Sequence, residues 1–337
     1  MPLGFHPYSY SLYGIRLASN CQLPGVLSAS RTAFQDSAAE LVLSFGLLPE
    51  IESPAVPQLL FTSEAKSATG KPNLSIWEIA GGAFLRIIYS DHTEFWLDRA
   101  LNRVWAIWPK SSSLEDTLCY LLGPIFGLLL RLQGRVCLHA SAVEINGEAA
   151  VFAGREGAGK STTAAGFARL GSPVLSDDIV ALHEKDACFH VLPAYPRVNL
   201  WPSSVKLLYG SENALPLITT GWEKRFLSLG QEGMPKFGDR ETPIGAIYLL
   251  CGSSATAERC IEAVSKKDAL LMLIANTYAT HFLDVEQRAV EFALLSRLMD
   301  QVPVRTVNPR RHHVSVDALC EFIHQDFDGI DSRKSPR

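Results

Sequence analysis

Residues 154–161 read Gly-Arg-Glu-Gly-Ala-Gly-Lys-Ser, which satisfies G-x-x-x-x-G-K-[ST], the spacing of a phosphate-binding loop. The residue types suit that chemistry. The glycines let the backbone of Gly154, Arg155, Glu156, Gly157, Ala158 and Gly159 turn its N–H groups inward, making a concave anion site. Lys160 is the residue that reaches β- and γ-phosphates, and the Ser161 hydroxyl is placed to hold Mg²⁺. From Thr162 to Leu170 the chain carries good helix formers with a stop at Gly171, so a helix N-terminus adds its free N–H groups and positive dipole end. Ahead of the loop, Ala149–Ala153 is a short apolar run that reads as a buried strand. A glycine-rich turn matches this motif by chance at times, but strand, loop and helix all stand in the required order. The stretch implies a nucleoside triphosphate site.

A second chemical feature lies downstream. Within the apolar run Pro173–Leu182 stand two adjacent carboxylates, Asp177 and Asp178. Carboxylates in apolar surroundings are costly unless paired with a cation, and beside a phosphate loop the obvious cation is Mg²⁺. Phosphoryl transfer needs a carboxylate near the metal and one that accepts the proton of an attacking hydroxyl. At a strand end both can approach one site. A solvated turn is the competing reading.

Three further cations are candidates for the acceptor and phosphate side. The proline-rich segment 189–208 reads as a loop that crosses near the site, and its Arg197 would shape an acceptor pocket or lie on the surface. Lys224 and Arg225 are candidates for neutralising charge on the transferring phosphoryl group, against the alternative of a solvated charge pair. His312 and His313, beside Arg310 and Arg311, read as an exposed basic turn rather than a metal site.

The elements that must position these residues follow from hydrophobic pattern. Val136–Ile145 is a strand that turns at Gly147 into the strand feeding the loop. Ser113-Leu-Glu-Asp116 resembles a capping box, so a helix begins there and runs to about Leu132. Pro243–Leu250 and Val302–Val307 read as strands, and Lys266–Leu273, Val285–Met299 and Ser315–His324 as helices. The first part of the chain carries no catalytic signature. Tyr8–Leu17 and Ala39–Phe45 look like strands, and four β-like runs between Ser75 and Trp108 suggest an antiparallel meander whose aromatics pack a small core. This predicts a β-rich N-terminal recognition or scaffold domain over residues 1–112, a nucleotide domain over 113–325 and a flexible tail over 326–337.

Bulk composition narrows the classes. The 337 residues are 47% hydrophobic and 20% charged with a net charge of −4, which gives no reason to expect nucleic acid or an anionic membrane as partner. The seven cysteines are scattered without a C-x-x-C pair, which argues against a disulfide framework or zinc site and fits a reducing cytoplasm. The N-terminus lacks a basic segment followed by an apolar one, so no signal peptide is expected, and Leu118–Leu130 is too short for a membrane span.

Leu138-His-Ala-Ser141 before the loop, the loop itself and Ser176-Asp-Asp178 after it stand together in an arrangement similar to the HPr kinase/phosphorylase family, which phosphorylates a protein serine using ATP. The resemblance implies an α/β fold: a P-loop nucleotide-binding domain of the HPr kinase C-terminal type, a mixed sheet flanked by helices, behind a β-rich N-terminal domain. It implies that Asp178 is the base that deprotonates the acceptor hydroxyl and that His139 sits by the metal or phosphates. Lys160 and Ser161 keep the roles derived above, Asp177 helps to organise Mg²⁺, and a homo-oligomer is implied by the family's hexameric habit. Tyr10-Ser-Leu-Tyr-Gly14, Leu23-Pro24, Tyr195–Pro202, Lys224-Arg225 and Val302-Pro-Val resemble a subgroup associated with ribosomally made peptides. That subgroup includes kinases of the C-terminal serine of lasso-peptide precursors, so the implied partner is a peptide or protein with an acceptor serine. HPr kinases carry a glutamate directly after the loop serine, where this chain has Thr162, and a later glutamate- and glycine-containing signature that Tyr195–Leu200 lacks. The forward transfer carries over; the reverse activity and HPr as acceptor stay open. A nucleotide-gated binding module and a small-molecule hydroxyl kinase are the alternatives.

Overall fold

The computed structural model describes residues 6–26, 39–51, 55–67, 70–251, 261–279, 283–308 and 315–334. His312, His313, Arg310 and Arg311 lie outside them. The chain divides into two compact units, Met1–Ile125 and Phe126–Arg337.

The first unit is built on an eight-stranded sheet. Its strands are β1 (Tyr8–Leu12), β2 (Ile15–Ser19), β3 (Leu41–Phe45), β4 (Gln58–Thr62), β5 (Leu74–Ile79), β6 (Phe84–Tyr89), β7 (Glu94–Asp98) and β8 (Arg103–Ile107), in spatial order β1-β2-β3-β8-β7-β6-β5-β4. The meander expected after residue 75 is present as the antiparallel run β5 to β8, with β3 joining β8 in parallel. Tyr8–Leu17, expected as one strand, is a hairpin: Tyr13 and Gly14 both take positive φ (53° and 71°), the left-handed pair a two-residue turn requires. The aromatics pack as a core. Phe95 and Trp96 are buried, and Phe84 meets Trp96 and Trp105 edge to face at 6.4 and 5.8 Å.

Helix α1 (Leu114–Tyr120) starts at the expected capping box, with the Ser113 hydroxyl accepting from Asp116 N–H and the Asp116 carboxylate from Ser113 N–H. The helical path widens into a π-helical turn at Leu121–Ile125, where Pro124 removes a ladder donor, and resumes as α2 (Phe126–Leu132). No helix among the described residues is long and apolar enough to cross a membrane.

The second unit holds the phosphate loop. β9 (Cys137–Ile145) turns at Asn146-Gly147, both at positive φ, into β10 (Glu148–Ala153), and α3 (Lys160–Arg169) follows the loop. β11 (Val174–Ser176) and β12 (Ile179–Lys185) both run antiparallel along β9, so they act as one strand opened at Asp177-Asp178. β13 (Cys188–Val191) completes a hairpin with β12. The segment expected as a proline-rich loop is ordered instead as β14 (Arg197–Leu200) and α4 (Pro202–Tyr209), because Pro202 occupies the first helical turn, where its missing N–H costs nothing, and Gly210 closes the helix at φ 80°. β14 pairs with β15 (Arg225–Ser228). Then come β16 (Thr242–Leu250), β17 (Ile261–Ala263), α5 (Lys266–Ile274), α6 (Val285–Gln301), β18 (Val304–Val307) and α7 (Val316–Lys334).

The main sheet runs β10-β9-β12-β13-β16-β18-β17, with β10 also parallel to β16. Alternation along β10 splits the core: Ala150 and Phe152 face the side covered by α3, α4 and α7, while Ala149, Val151 and Ala153 face α5 and α6. The mixed sheet is therefore flanked by helices on both faces. The last helix does not end near His324 with a polar tail from residue 326. It continues to Lys334 because Phe327 and Ile330, one turn apart beyond Ile323, are buried in the same cluster as α3.

Candidate functional site

Register brings the site together. The two-residue turn at Asn146-Gly147 pairs Ile145 with Glu148, and counting along the hairpin to Ala140–Ala153 sets His139 beside the start of the loop. On its other edge β9 pairs His139 with Ile179, one residue past Asp178. His139 and Ser141 share a face because they are two residues apart on a strand. Leu138, Ala140 and Ala142 point the other way into the core.

Close backbone approach and positive φ explain the glycines of the loop. A Cβ on Gly154 would stand 2.6 Å from the Leu250 carbonyl oxygen, so only glycine lets the loop lie against β16. Gly157 and Gly159 take positive φ of 75° and 102°. Gly159 caps α3 without any side-chain hydrogen bond, leaving the N-terminal N–H groups of that helix open to an anion. The Lys160 ammonium is folded over the loop, donating to the carbonyls of Gly154 at 2.8 Å and Arg155 at 3.1 Å. Burial lowers its pKa, with Asp178 and Asp177 pulling it back up.

The two aspartates differ in environment. Asp177 is 2% exposed and accepts from the Ser141 hydroxyl at 2.7 Å and Asn199 N–H at 2.9 Å. Desolvation raises its pKa, opposed by the bonds from Asn199, Ser141 and Ser161. Asp178 sits where the strand opens, at φ 72°, with its carboxylate reaching outward. Its Oδ1 is 3.6 Å from His139 Nε2, and the two side chains are 38% and 39% exposed. His139 donates its backbone N–H to the Asn276 carbonyl at 2.7 Å. Partial burial lowers the imidazole pKa and Asp178 raises it, and the net shift is downward, which keeps the ring neutral at neutral pH.

A cavity of about 190 Å³ gathers His139, Glu156, Lys160, Ser161, Thr162 and Asp178 with Trp201, Ser203, Ser204 and Lys224. Gly154, Arg155 and Ala158 lie instead on a second cavity of about 520 Å³ on the other side of the loop, with Glu156 and Gly157 shared between the two. Thr162 donates to the Ser204 hydroxyl at 2.8 Å, tying α3 to α4. The Lys224 ammonium lies 5.0 Å from the Trp201 ring centre, so this expected cation reaches the cavity. The other two do not line it. Arg197 is buried between the rings of Tyr195 and Phe226, 5.6 and 5.5 Å away. Arg225 is spent on the Leu215 carbonyl and the Asn213 side chain.

Trp201 borders the cavity, as the segment 189–208 was expected to, and Asn199, Ser203 and Ser204 of the same segment border it without having been singled out; Ser141, quoted with His139, was given no role and bonds to Asp177. Ser141 had a signal, its spacing of two from His139 on a strand; Asn199 acts through its backbone and had none.

Among the described residues no group of three or more His, Cys, Asp or Glu side chains is arranged to hold a metal ion. Ser161 and Asp178 line the cavity beside the loop, while Asp177 is buried outside its lining, where it accepts from Ser141 and Asn199; serine and aspartate oxygens are the donor type that Mg²⁺ takes, its shell being completed by phosphate oxygens and water.

No known family profile matches the chain, and no curated protein matches it either. Among solved structures the chain is similar to an Hpr(Ser) kinase/phosphatase from Coxiella burnetii, at 9% identity over 58% of this chain and 97% of that one, with a TM-score of 0.31. That likeness is distant, and the chemistry of the site is carried by the distances above.

Proposed function

We propose that this protein is a Mg²⁺-dependent kinase that moves the γ-phosphoryl group of ATP to a serine hydroxyl on a peptide or protein. The observation that carries the reading is one cavity in which the Lys160–Ser161 end of a phosphate loop faces an outward carboxylate, Asp178, with His139 beside it. Lys160 and the open N–H groups of α3 hold the triphosphate. Asp178 accepts the acceptor's hydroxyl proton as the acceptor oxygen bonds to the γ-phosphorus and the bond to the β-phosphate oxygen breaks. His139 orients the Asp178 carboxylate. Ser161 and Asp177 would hold Mg²⁺, which supplies charge neutralisation on the phosphate oxygens. Trp201, Ser203 and Lys224 form the side on which the acceptor enters. The finer identity of the acceptor, the C-terminal serine of a ribosomally made precursor peptide, is supported by the resemblance of Tyr195–Pro202 and Lys224-Arg225 to that subgroup.

The test is incubation with ATP, Mg²⁺ and a set of serine peptides that includes C-terminal serines, read by mass spectrometry. Phosphorylated peptide supports the kinase. Tight ATP binding without transfer to any peptide, protein or small hydroxyl acceptor sinks it and leaves a nucleotide-gated binding module.

A further inference from the structure

β10 stops covering β9 where the phosphate loop begins. The two strands pair only as far as Ala153 opposite Ala140, and the chain then leaves for the loop. From there the segment that follows α5 takes over the same edge of β9. His139 N–H donates to the Asn276 carbonyl at 2.7 Å, Tyr278 N–H donates to the Cys137 carbonyl at 2.8 Å, and Leu138 bridges Thr277 in antiparallel register. With β12 along the other edge, the backbone of His139 is flanked on both sides.

That register also places a side chain. Tyr278 stands opposite Cys137, which makes it the diagonal neighbour of His139 on the same face, within reach for an aromatic ring. Its ring centre lies 6.1 Å from that of His139, tilted by 49°. The same ring is packed against α2. Gly127 is buried in that helix, and a Cβ on it would overlap Tyr278 Cε1 and stand 2.5 Å from Cδ1. The helix itself gains nothing from a glycine, since alanine is the better helix former. What Gly127 supplies is the seat for the tyrosine ring.

We propose that Tyr278, seated on Gly127, is a positioning residue that holds the His139 ring toward Asp178. This role rests on the kinase reading, because the step it serves is the orientation of Asp178 by His139, whose Nε2 stands 3.6 Å from Asp178 Oδ1. Both of those side chains are partly exposed, so the cavity side does not confine the imidazole. The Tyr278 ring confines it from the side of α2.

The experiment is steady-state phosphorylation of a responsive serine peptide by single and double variants. Tyr278→Ala and Gly127→Ala are each expected to lower kcat at least about tenfold, the scale of a small misplacement of reacting groups. The KM for ATP is expected to stay within about twofold, since the lost interaction serves the transition state. Tyr278→Phe keeps the ring and should restore kcat to within about threefold of the parent. Added to Tyr278→Ala, Gly127→Ala should cost less than about twofold more, because no ring is left to displace. Added to His139→Ala, Tyr278→Ala should likewise cost less than about twofold more, because no imidazole is left to hold. Independently of turnover, the NMR signal of His139 Hδ2, assigned by its loss in His139→Ala, should move in Tyr278→Ala and keep its place in Tyr278→Phe.

A parent-like kcat in Tyr278→Ala overturns the role, and so do losses that multiply fully in the His139 cycle or a His139 signal that Tyr278→Ala leaves unmoved. In each case the kinase reading stands. Where Gly127→Ala fails to fold, the Tyr278 and His139 cycle decides alone. A parent protein that transfers no phosphate to any acceptor removes both.

Discussion

Replacing Asp178 by asparagine separates phosphate binding from proton transfer. The residue sits at φ 72°, a left-handed conformation that asparagine tolerates, so the break between β11 and β12 keeps its shape. The amide also keeps the size of the carboxylate and its approach to His139 Nε2, now 3.6 Å. What is lost is the ability to take a proton. A positioned base contributes about 10²–10⁴-fold, which corresponds to about 3–5 kcal/mol of barrier. Turnover is therefore expected to fall by that factor. ATP affinity is expected to stay within about threefold, or about 0.7 kcal/mol, because Lys160 and the open N–H groups of α3 are untouched. Asp178→Ala is the control: it loses the same proton acceptor and adds about 1–2 kcal/mol of left-handed strain, visible as a lower melting temperature. Calorimetry with ATP and initial-rate assays on a responsive acceptor read the two quantities. An asparagine variant that turns over at the parent rate refutes the assignment of the base.

Other substitutions test the frame around the site. Gly154→Ala puts a Cβ 2.6 Å from the Leu250 carbonyl, between two backbones that cannot yield cheaply, so ATP affinity should drop at least about tenfold by calorimetry; unchanged affinity contradicts the close approach. Arg131 and Glu291 form an ion pair whose side chains are 2% and 6% exposed, and Glu291→Ala leaves a buried guanidinium without its counter-charge. Urea unfolding should show a loss of about 3–5 kcal/mol, and a loss below about 1 kcal/mol would place the pair outside the low-dielectric interior. Burial pushes the Cys137 and Cys320 thiols up to about 12, so both remain protonated at pH 8 and gain thiolate only as pH climbs toward that value. Timed alkylation at pH 8 should label exposed Cys188 first and leave these two nearly untouched in the folded protein, and equal rates would contradict their burial.

Local features of the site were legible where a short-range rule fixes them. The Gly-x₄-Gly-Lys-Ser spacing and the turn before β10 are such rules; the place of His139 came from the family resemblance, and the hairpin register accounts for it. The aspartate pair was visible as a polar break in an apolar run, but which carboxylate faces inward was not. That depends on Asp178 turning to positive φ and on Ser141 and Asn199 closing around Asp177, contacts made across 36 and 22 residues of chain. Arg197 shows the same limit: on β14 it is held between Tyr195 and Phe226, and Phe226 belongs to a partner strand whose pairing no local pattern announces. Other misses had signals that went unweighed. Pro202 at the start and Gly210 at the end of α4 are ordinary helix punctuation, and Ile323, Phe327 and Ile330 keep the helical spacing that carries α7 past His324.

The central claim is that phosphate passes from a nucleotide on the loop to a hydroxyl in the Asp178 cavity. Its most direct measurement is label transfer from γ-labelled ATP to a single-serine peptide, beside the same peptide with that serine replaced by alanine. The account predicts acid-stable, alkali-labile label on the serine peptide alone, lost with Lys160→Ala and reduced about 10²–10⁴-fold with Asp178→Asn. Label that appears equally on the alanine peptide, or that survives Lys160→Ala at the parent rate, would contradict it.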